Sequence, residues 1–371
     1  MAVYKIFPTK DATLYSQYNE MNTGLDEIIE ASTFNIGTDV VPQASRMLIQ
    51  FDSSEITDVI NNKINGANYT PYLRIFTANV SSLNLTASLE AHPLFQNWDM
   101  GSGKYLDSPQ KTNGCSWIFS GVSGSTKWPT ASADFATNVT ASFPSTNHGG
   151  GVWYTNYIST QSFQYQKTTD IEMDVKSTIT AWNAGTISNN GFIVMQPTGS
   201  EFIQNSAYAQ TFKYFSVDTH TIYPPHLEFR WYDYSFSTGS STNTIISESD
   251  YYLSFSNNSG IYYSGSIQRF KLNVRPQYPT RTFTTSSVYT KNYYLPESSS
   301  LYAVKDLDTN EFVIDFDSTY TRIGADSNSS YFDIYMDGLE PERYYKILIK
   351  ATVDSTTRIY DENLIFKVSN G

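Results

Sequence analysis

Cysteine is nearly missing from this chain: one residue, Cys115, in 371. A lone thiol rules out an internal disulfide framework and any paired-cysteine metal site, so packing has to hold the fold. Its expected place is a buried or half-buried position. Charge is scarce at 16% of residues, and positive charge scarcer, with 24 Lys and Arg against 36 Asp and Glu for a formal net of −12. Such a balance opposes a phosphate-binding surface and excludes nucleic acid as a partner. No apolar run approaches the roughly 18 residues that a membrane span needs, so none is expected. The opening MAVYKIFPTKDATLY has no basic stretch followed by a long apolar one, and no secretory signal is read there. His92, His148, His220 and His226 fall in no HxH or HExxH spacing. Neither a GxSxG elbow nor a Gly-rich phosphate loop occurs. Gly149, Gly150 and Gly151 read as a flexible turn. No cofactor, metal or catalytic residue is expected.

Aromatic residues, in contrast, make up 15%, with 29 Tyr and 22 Phe. Together with abundant Thr, Ser and Asn they favour pleated strands and polar turns over helices. Thr169 to Met195 shows this most plainly. Ile171, Met173 and Val175 alternate with Asp170, Glu172 and Asp174, the two-residue period of a half-buried strand. Val175, Ile179 and Trp182 follow at near-helical spacing, and Gly185 stands where a helix stops. Asn189-Asn190-Gly191 turns the chain into Phe192 to Met195, an unbroken apolar run suited to the middle of a sandwich. The outward carboxylates Asp170, Glu172 and Asp174 could form an acidic stripe, but a solvated strand face is the favoured reading.

Further strands are read at 2–6, 11–15, 27–31, 47–51, 72–78, 83–93, 152–157, 162–165 and 227–234. One more helix follows a Ser53 or Ser54 cap, with Ile56, Val59, Ile60 and Ile64 on its apolar side and Asn65-Gly66 at its end. Between Gly101 and Gly151 turn residues predominate, punctuated by Trp117, Phe119, Trp128, Phe135 and Phe143. These rings are either anchors that pin a long excursion to the sandwich or exposed faces for a sugar or another subunit. Ser237 to Asn243 is the clearest linker. Beyond it, short strands separated by turns continue to the last residues.

Several short motifs in order carry a resemblance. Lys10-Asp11-Ala12-Thr13-Leu14-Tyr15, Asn22-Thr23-Gly24, the Arg46 to Asp52 strand RMLIQFD, the Thr169 to Met195 stretch and Pro224-Pro225-His226-Leu227-Glu228-Phe229 together resemble the DNRLRE-like β-sandwich domains, over about two thirds of the chain. Leu339-Glu340-Pro341-Glu342-Arg343-Tyr344-Tyr345 resembles the late turn of fibronectin type III and immunoglobulin-like modules, in which a Tyr bonds back across the corner. Either Tyr344 or Tyr345 fits that role. RFKLNVRPQYPTRTF, YFDIYMDGL and PERYYKILIK resemble segments of structural proteins of tailed bacteriophages, marine and T4-like ones in particular.

The expected architecture is therefore all-β. A jelly-roll-like β-sandwich over 1–236 leads through 237–260, linker and first strand, to a smaller immunoglobulin-like β-sandwich over 261–371. The resemblances imply a non-enzymatic structural protein of a virion, in the tail, baseplate, neck or a fibre adapter. It would be assembled in the host cytoplasm, with other virion proteins as partners and as a homo-oligomer. The alternative they imply is a carbohydrate-binding module for host-surface glycans, with Trp117, Trp128 and Trp153 as candidate contacts to sugar or subunit. A polysaccharide depolymerase is disfavoured, since no β-helix repeat and no acid and base pair stand out.

Overall fold

The computed structural model of the chain describes residues 2–34, 42–81, 87–130, 136–143, 148–164, 167–202, 209–239, 244–278 and 292–370. Phe135, Tyr165, Asn205, Ser206, most of the Thr/Ser-rich section after Pro279 and residues 240–243 of the expected linker lie outside them. The fold is all-β and built of sandwiches, with a few short helical segments.

The chain forms two compact units. The N-terminal unit is Ile6–Asn61 with Thr70–Glu228, and the C-terminal unit is Phe229–Gly371 with Met1–Lys5 and Asn62–Tyr69. The division thus falls within the strand His226–Trp231, ahead of Ser237, and two N-terminal pieces join the later unit.

In the N-terminal unit the largest sheet runs Ser159–Ser162, Ser88–Pro93, Phe192–Met195, Gln43–Phe51, Ile28–Phe34, Gln210–Phe215, Thr77–Ser81, and Pro8–Tyr15 also pairs with Gln43–Phe51. Pro8 lacks a backbone donor, and it follows the edge strand Ala2–Ile6 and begins the next strand at a register shift. The Thr169 to Met195 reading holds closely. Ile171–Asp174 pairs with Tyr69–Ile75, and its residues alternate buried and exposed. The helix spans Lys176–Asn183, Gly185 takes φ +68°, and Phe192–Met195 is buried throughout. Four such side chains each contribute about 1.5–3 kcal/mol of transfer free energy. The outward carboxylates have local duties. Asp170 accepts from the Thr77 N–H, Glu172 pairs with Arg74, and Asp174 accepts from the Lys176 N–H.

The other expected helix forms with a different cap. Asp52, not Ser53 or Ser54, accepts from the Ser54 N–H at 2.6 Å. Ser53–Asp58 is α-helical, but Val59–Ile64 winds as a π-helix. Five residues then separate the buried Val59 and Ile64, and the wider turn keeps both on the inner side while Ile60 is only half-buried. Asn65 and Gly66 close it at φ +47° and +82°.

Two sheets build the C-terminal unit. One runs Thr244–Ile245, Tyr293–Tyr294, Ile267–Pro276, Ser330–Tyr335, Gly324–Ala325, with Tyr251–Phe255 also on Ile267–Pro276. The other runs Ile261–Tyr263, Thr356–Ser369, Tyr344–Val353, Ser300–Asp306, Phe312–Ile314. Aromatic rings fill the space between them: Tyr302 stacks on Phe332 at 4.3 Å, and Phe270 meets Phe366 at 5.7 Å.

The corner tyrosine is Tyr345. It is buried, and its hydroxyl donates to the Glu340 carbonyl at 2.9 Å, whereas Tyr344 faces solvent. Replacing Tyr345 by Phe leaves that carbonyl without its partner and is expected to lower the stability of the C-terminal unit by about 1 kcal/mol in urea titrations followed by near-ultraviolet circular dichroism. An unchanged midpoint would show the bond to be idle.

Candidate functional site

The excursion that carries Trp117 and Trp128 is tied down residue by residue, beginning at Asn22. That side chain donates to the carbonyls of Met100 and Cys115 at 2.7 and 2.9 Å and accepts from the Gly103 N–H at 2.8 Å. Glycines at 101, 103 and 114 let the backbone come this close, for a Cβ on any of them would lie within 2.5 Å of Asn22 or of Gly101. Thr23 closes the same corner on Thr13, donating to its carbonyl at 2.7 Å. The thiol of Cys115 is fully enclosed here, and burial pushes it up to about 12, so it stays protonated and inert.

The three tryptophans expected as candidate contacts prove to be core residues. Trp117, Trp128 and Trp153 are 0%, 1% and 1% exposed, and the Trp128 indole donates to the Ser116 carbonyl at 2.9 Å. None offers a face for a sugar ring or a neighbouring subunit, so the anchor reading of these rings is the one their burial supports. The excursion folds over them because its own backbone supplies acceptors for the indole and ring faces for its neighbours.

Arg46 lies among these rings, although it begins a strand motif and no exposure remains to it. Its Nε and Nη2 donate to the two carboxylate oxygens of Glu201 at 2.8 and 2.6 Å, and its Nη1 and Nη2 also donate to the carbonyls of Gly150 and Ser142. The guanidinium stands 4.8 Å from the Trp117 ring and 5.1 Å from that of Trp153. Burial pushes the Glu201 carboxyl up from its usual range, and Arg46 pulls it back. The glycines at 149, 150 and 151 take φ of +133°, +82° and +91°, and a Cβ on Gly150 would lie 2.6 Å from Arg46 and 2.7 Å from Trp117. They form a close-packed seat, not the flexible turn expected. The arrangement is one of structure: every group is enclosed and partnered by protein.

The histidines have partners as well. His92 and His226 are buried and sit 3.3 Å from Glu90 and 3.5 Å from Glu228. Among the described residues no group of three or more His, Cys, Asp or Glu is placed to hold a metal ion, and no helix is long and apolar enough to cross a membrane.

On the C-terminal unit, exposed apolar side chains gather on the outer face of the sheet from Ile261–Tyr263 to Phe312–Ile314. Ile261 pairs with Lys367, and Lys367 pairs with Tyr344, which makes one cross-strand row. Ile365, Lys346, Lys305 and Phe312 make the next, and Ile359 with Lys350 lies beyond. Ile261, Tyr263, Tyr344, Phe312 and Ile359 are 57%, 63%, 48%, 45% and 59% exposed. Lysines separate them, Lys346 and Lys367 pairing with Asp361 and Glu342 while Lys305 and Lys350 lie over Phe312 and Phe316. The sequence signal of this face is the alternation in YYKILIK, which puts Tyr344, Lys346, Leu348 and Lys350 on one side.

No protein-family model and no curated protein matches the chain. Among solved structures, it is similar to a DUF4785 family protein from Legionella pneumophila at 8% identity and a TM-score of 0.18, over 93% of this chain and 62% of that one. The chain therefore spans less than two thirds of that protein, and a score at this level does not establish a shared fold.

Proposed function

We propose that this chain is a non-enzymatic structural component of a bacteriophage particle, in the tail, baseplate, neck or a fibre adapter, that works through contacts with neighbouring subunits, copies of itself among them. The order of short motifs supports a DNRLRE-like sandwich for the N-terminal part, and the Tyr345 corner supports an immunoglobulin-like module for the C-terminal part. The observation that carries the reading is the outer sheet face on which Ile261, Tyr344, Phe312 and Ile359 are exposed, alternating with lysines across the strands. Single exposed apolar residues are ordinary, but five of them on one sheet face, interspersed with lysines, make a surface suited to association.

Charge favours a second copy as occupant. The N-terminal unit holds 9 Lys and Arg against 19 Asp and Glu, a net of −10, while the C-terminal unit holds 15 against 17, a net of −2. The lysine-bearing face of one copy thus meets its complement in the acidic unit of the next. Such a contact joins two different patches and generates rings or helical arrays, the symmetries of tail and neck parts.

Sedimentation velocity of the full chain tests this. The wild type is expected to form a concentration-dependent oligomer that weakens as salt rises, and Ile261→Asp with Tyr344→Ser, both exposed, is expected to sediment as a monomer with an unchanged far-ultraviolet spectrum. A wild type that stays monomeric sinks the self-contact. Failure to find the chain at fixed stoichiometry in purified particles sinks the placement.

A further inference from the structure

The strand Ile261–Tyr263 lies at one edge of its 5-stranded sheet and runs parallel to its neighbour Thr356–Ser369. The Gly260 carbonyl accepts from the Lys367 N–H at 2.8 Å, and the Ser264 N–H donates to the Ser369 carbonyl at 2.9 Å, so residues 260, 262 and 264 address that neighbour. Ile261 and Tyr263 point their backbone groups the other way. Their carbonyls are met within the chain, that of Ile261 by the Ser259 hydroxyl at 3.0 Å and that of Tyr263 by the Ser266 N–H at 3.2 Å. Their N–H groups have no acceptor among the described residues.

Sheet edges are normally guarded, because a row of unpaired groups is a template for another strand, and charged side chains or proline keep such strands away. At the opposite edge of this sheet Glu311 and Asp315 bracket Phe312–Ile314. Ile261–Tyr263 has no such guard. From Tyr251 to Gln268 the chain carries neither a charged residue nor a proline, and Ile261 and Tyr263 are 57% and 63% exposed.

We propose that this edge pairs with the same edge of a second copy, antiparallel about a two-fold axis at Tyr262. In that register Ile261 of each copy stands opposite Tyr263 of the other. Each Tyr263 N–H then reaches the facing Ile261 carbonyl, which keeps a lone pair beside the Ser259 hydroxyl, and each Ile261 N–H faces a Tyr263 carbonyl. The unpaired donors meet acceptors. The side chains agree with this register, since a β-branched residue against an aromatic one is a favoured cross-strand pair, and the two-fold axis makes it twice. A foreign strand would have to offer this spacing by chance, whereas a second copy carries it. Each copy has a formal net charge of −12, and an uncharged edge lets two copies approach without opposing like charges. The contact lies in the plane of the sheet, apart from the lysine-bearing face, and does not rest on the contact proposed for that face. It uses no charge, so it persists where salt screens the lysines. A short edge buries a small area, which makes the dimer a weak one in the micromolar range.

Sedimentation velocity of the full chain in about 1 M sodium chloride, where screening shortens to about 3 Å, isolates this contact. The wild type is expected to dimerise reversibly there, and Tyr344→Ser, a change on the face and off the edge, is expected to leave that dimer alone. Tyr263→Pro removes the outward donor and the ring but none of the bonds to Thr356–Ser369, at a position where an edge strand tolerates proline. It is expected to weaken the dimer at least about tenfold. Tyr263→Lys keeps the backbone donor and is expected to do the same by setting a charge opposite Ile261. Hydrogen exchange reads the pairing directly: the Tyr263 amide is expected to exchange fast in dilute protein and slowly in concentrated protein, while that of Tyr262 is slow in both. A wild type that stays monomeric in this salt overturns the edge contact, and the face contact is judged separately at low salt. A dimer that survives both Tyr263 substitutions, or a Tyr263 amide indifferent to concentration, overturns it as well.

Discussion

Replacing Arg46 by Ala is expected to lower the stability of the N-terminal unit by about 3–5 kcal/mol, the usual cost of breaking a buried ion pair from one side. Glu201 cannot leave with its partner. It is fully buried, and the substitution strands its carboxylate in a place with no water to solvate it. The carbonyls of Gly150 and Ser142 lose their donor as well, and Trp117 and Trp153 lose the plane packed against them. Arg46→Lys is expected to recover little, because one ammonium cannot address two carboxylate oxygens and two carbonyls in a fixed fork. The double change Arg46→Met with Glu201→Leu is expected to recover most of the loss, since the desolvation cost then disappears with both charges. Urea titrations followed by tryptophan fluorescence measure this unit selectively, for Trp98, Trp117, Trp128, Trp153 and Trp182 all lie in it. A loss below about 1 kcal/mol for Arg46→Ala would mean that the pair is solvated and the enclosed geometry wrong.

The same residues show what a linear reading can and cannot see. Arg46 stands in a strand motif legible from the sequence, RMLIQFD, and its apolar members Met47, Leu48, Ile49 and Phe51 are buried. Nothing local announced that its charge is buried with Glu201, 155 residues further along. The stretch from Thr169 to Met195 was legible because its determinants are local: a period of two, one amphipathic turn, a glycine and a polar turn. The corner tyrosine was half legible. Its turn narrowed the choice to Tyr344 or Tyr345, and the inward alternation of Ile347, Ile349 and Ala351 would have settled it for Tyr345. Tryptophans among turn residues could not be placed, because burial of a loop ring depends on backbone acceptors that arrive from elsewhere, as Ser116 does for Trp128. The glycines at 149–151 read as a flexible turn, and their positive φ uses that freedom, but the lack of a Cβ at Gly149 and Gly150 is also what the packing against Trp117 requires. The composition of the two compact units is hidden from a linear reading for a related reason. A polar linker is a local signal, while Met1–Lys5 and Asn62–Tyr69 join the later unit through contacts distant in sequence.

Asp11 is also expected to contribute a loss of stability as pH rises from about 4 to about 7. Its carboxyl is buried and held up to about 7 by desolvation, with Asp218 and Asp26 raising it further, against the opposing bonds from the Val217 N–H at 2.7 Å and the Ser216 hydroxyl at 2.9 Å. Below about 4 both folded and unfolded chains hold this proton, and the group adds no pH dependence. Between the two values the unfolded chain has released it while the folded chain keeps it, so each rise in pH favours unfolding. Above about 7 both forms are ionised and the loss is complete. A shift of about three units corresponds to at most about 4 kcal/mol. Asp11→Asn removes the titration. Its amide oxygen can accept from Val217 and its NH₂ can donate to the Ser216 oxygen, so the variant is expected to lack this fall and to gain on the wild type as pH increases. Urea midpoints of both proteins from pH 4 to 8 measure the difference. Parallel curves would show that Asp11 ionises freely in the folded chain, with water reaching a carboxylate that the fold encloses.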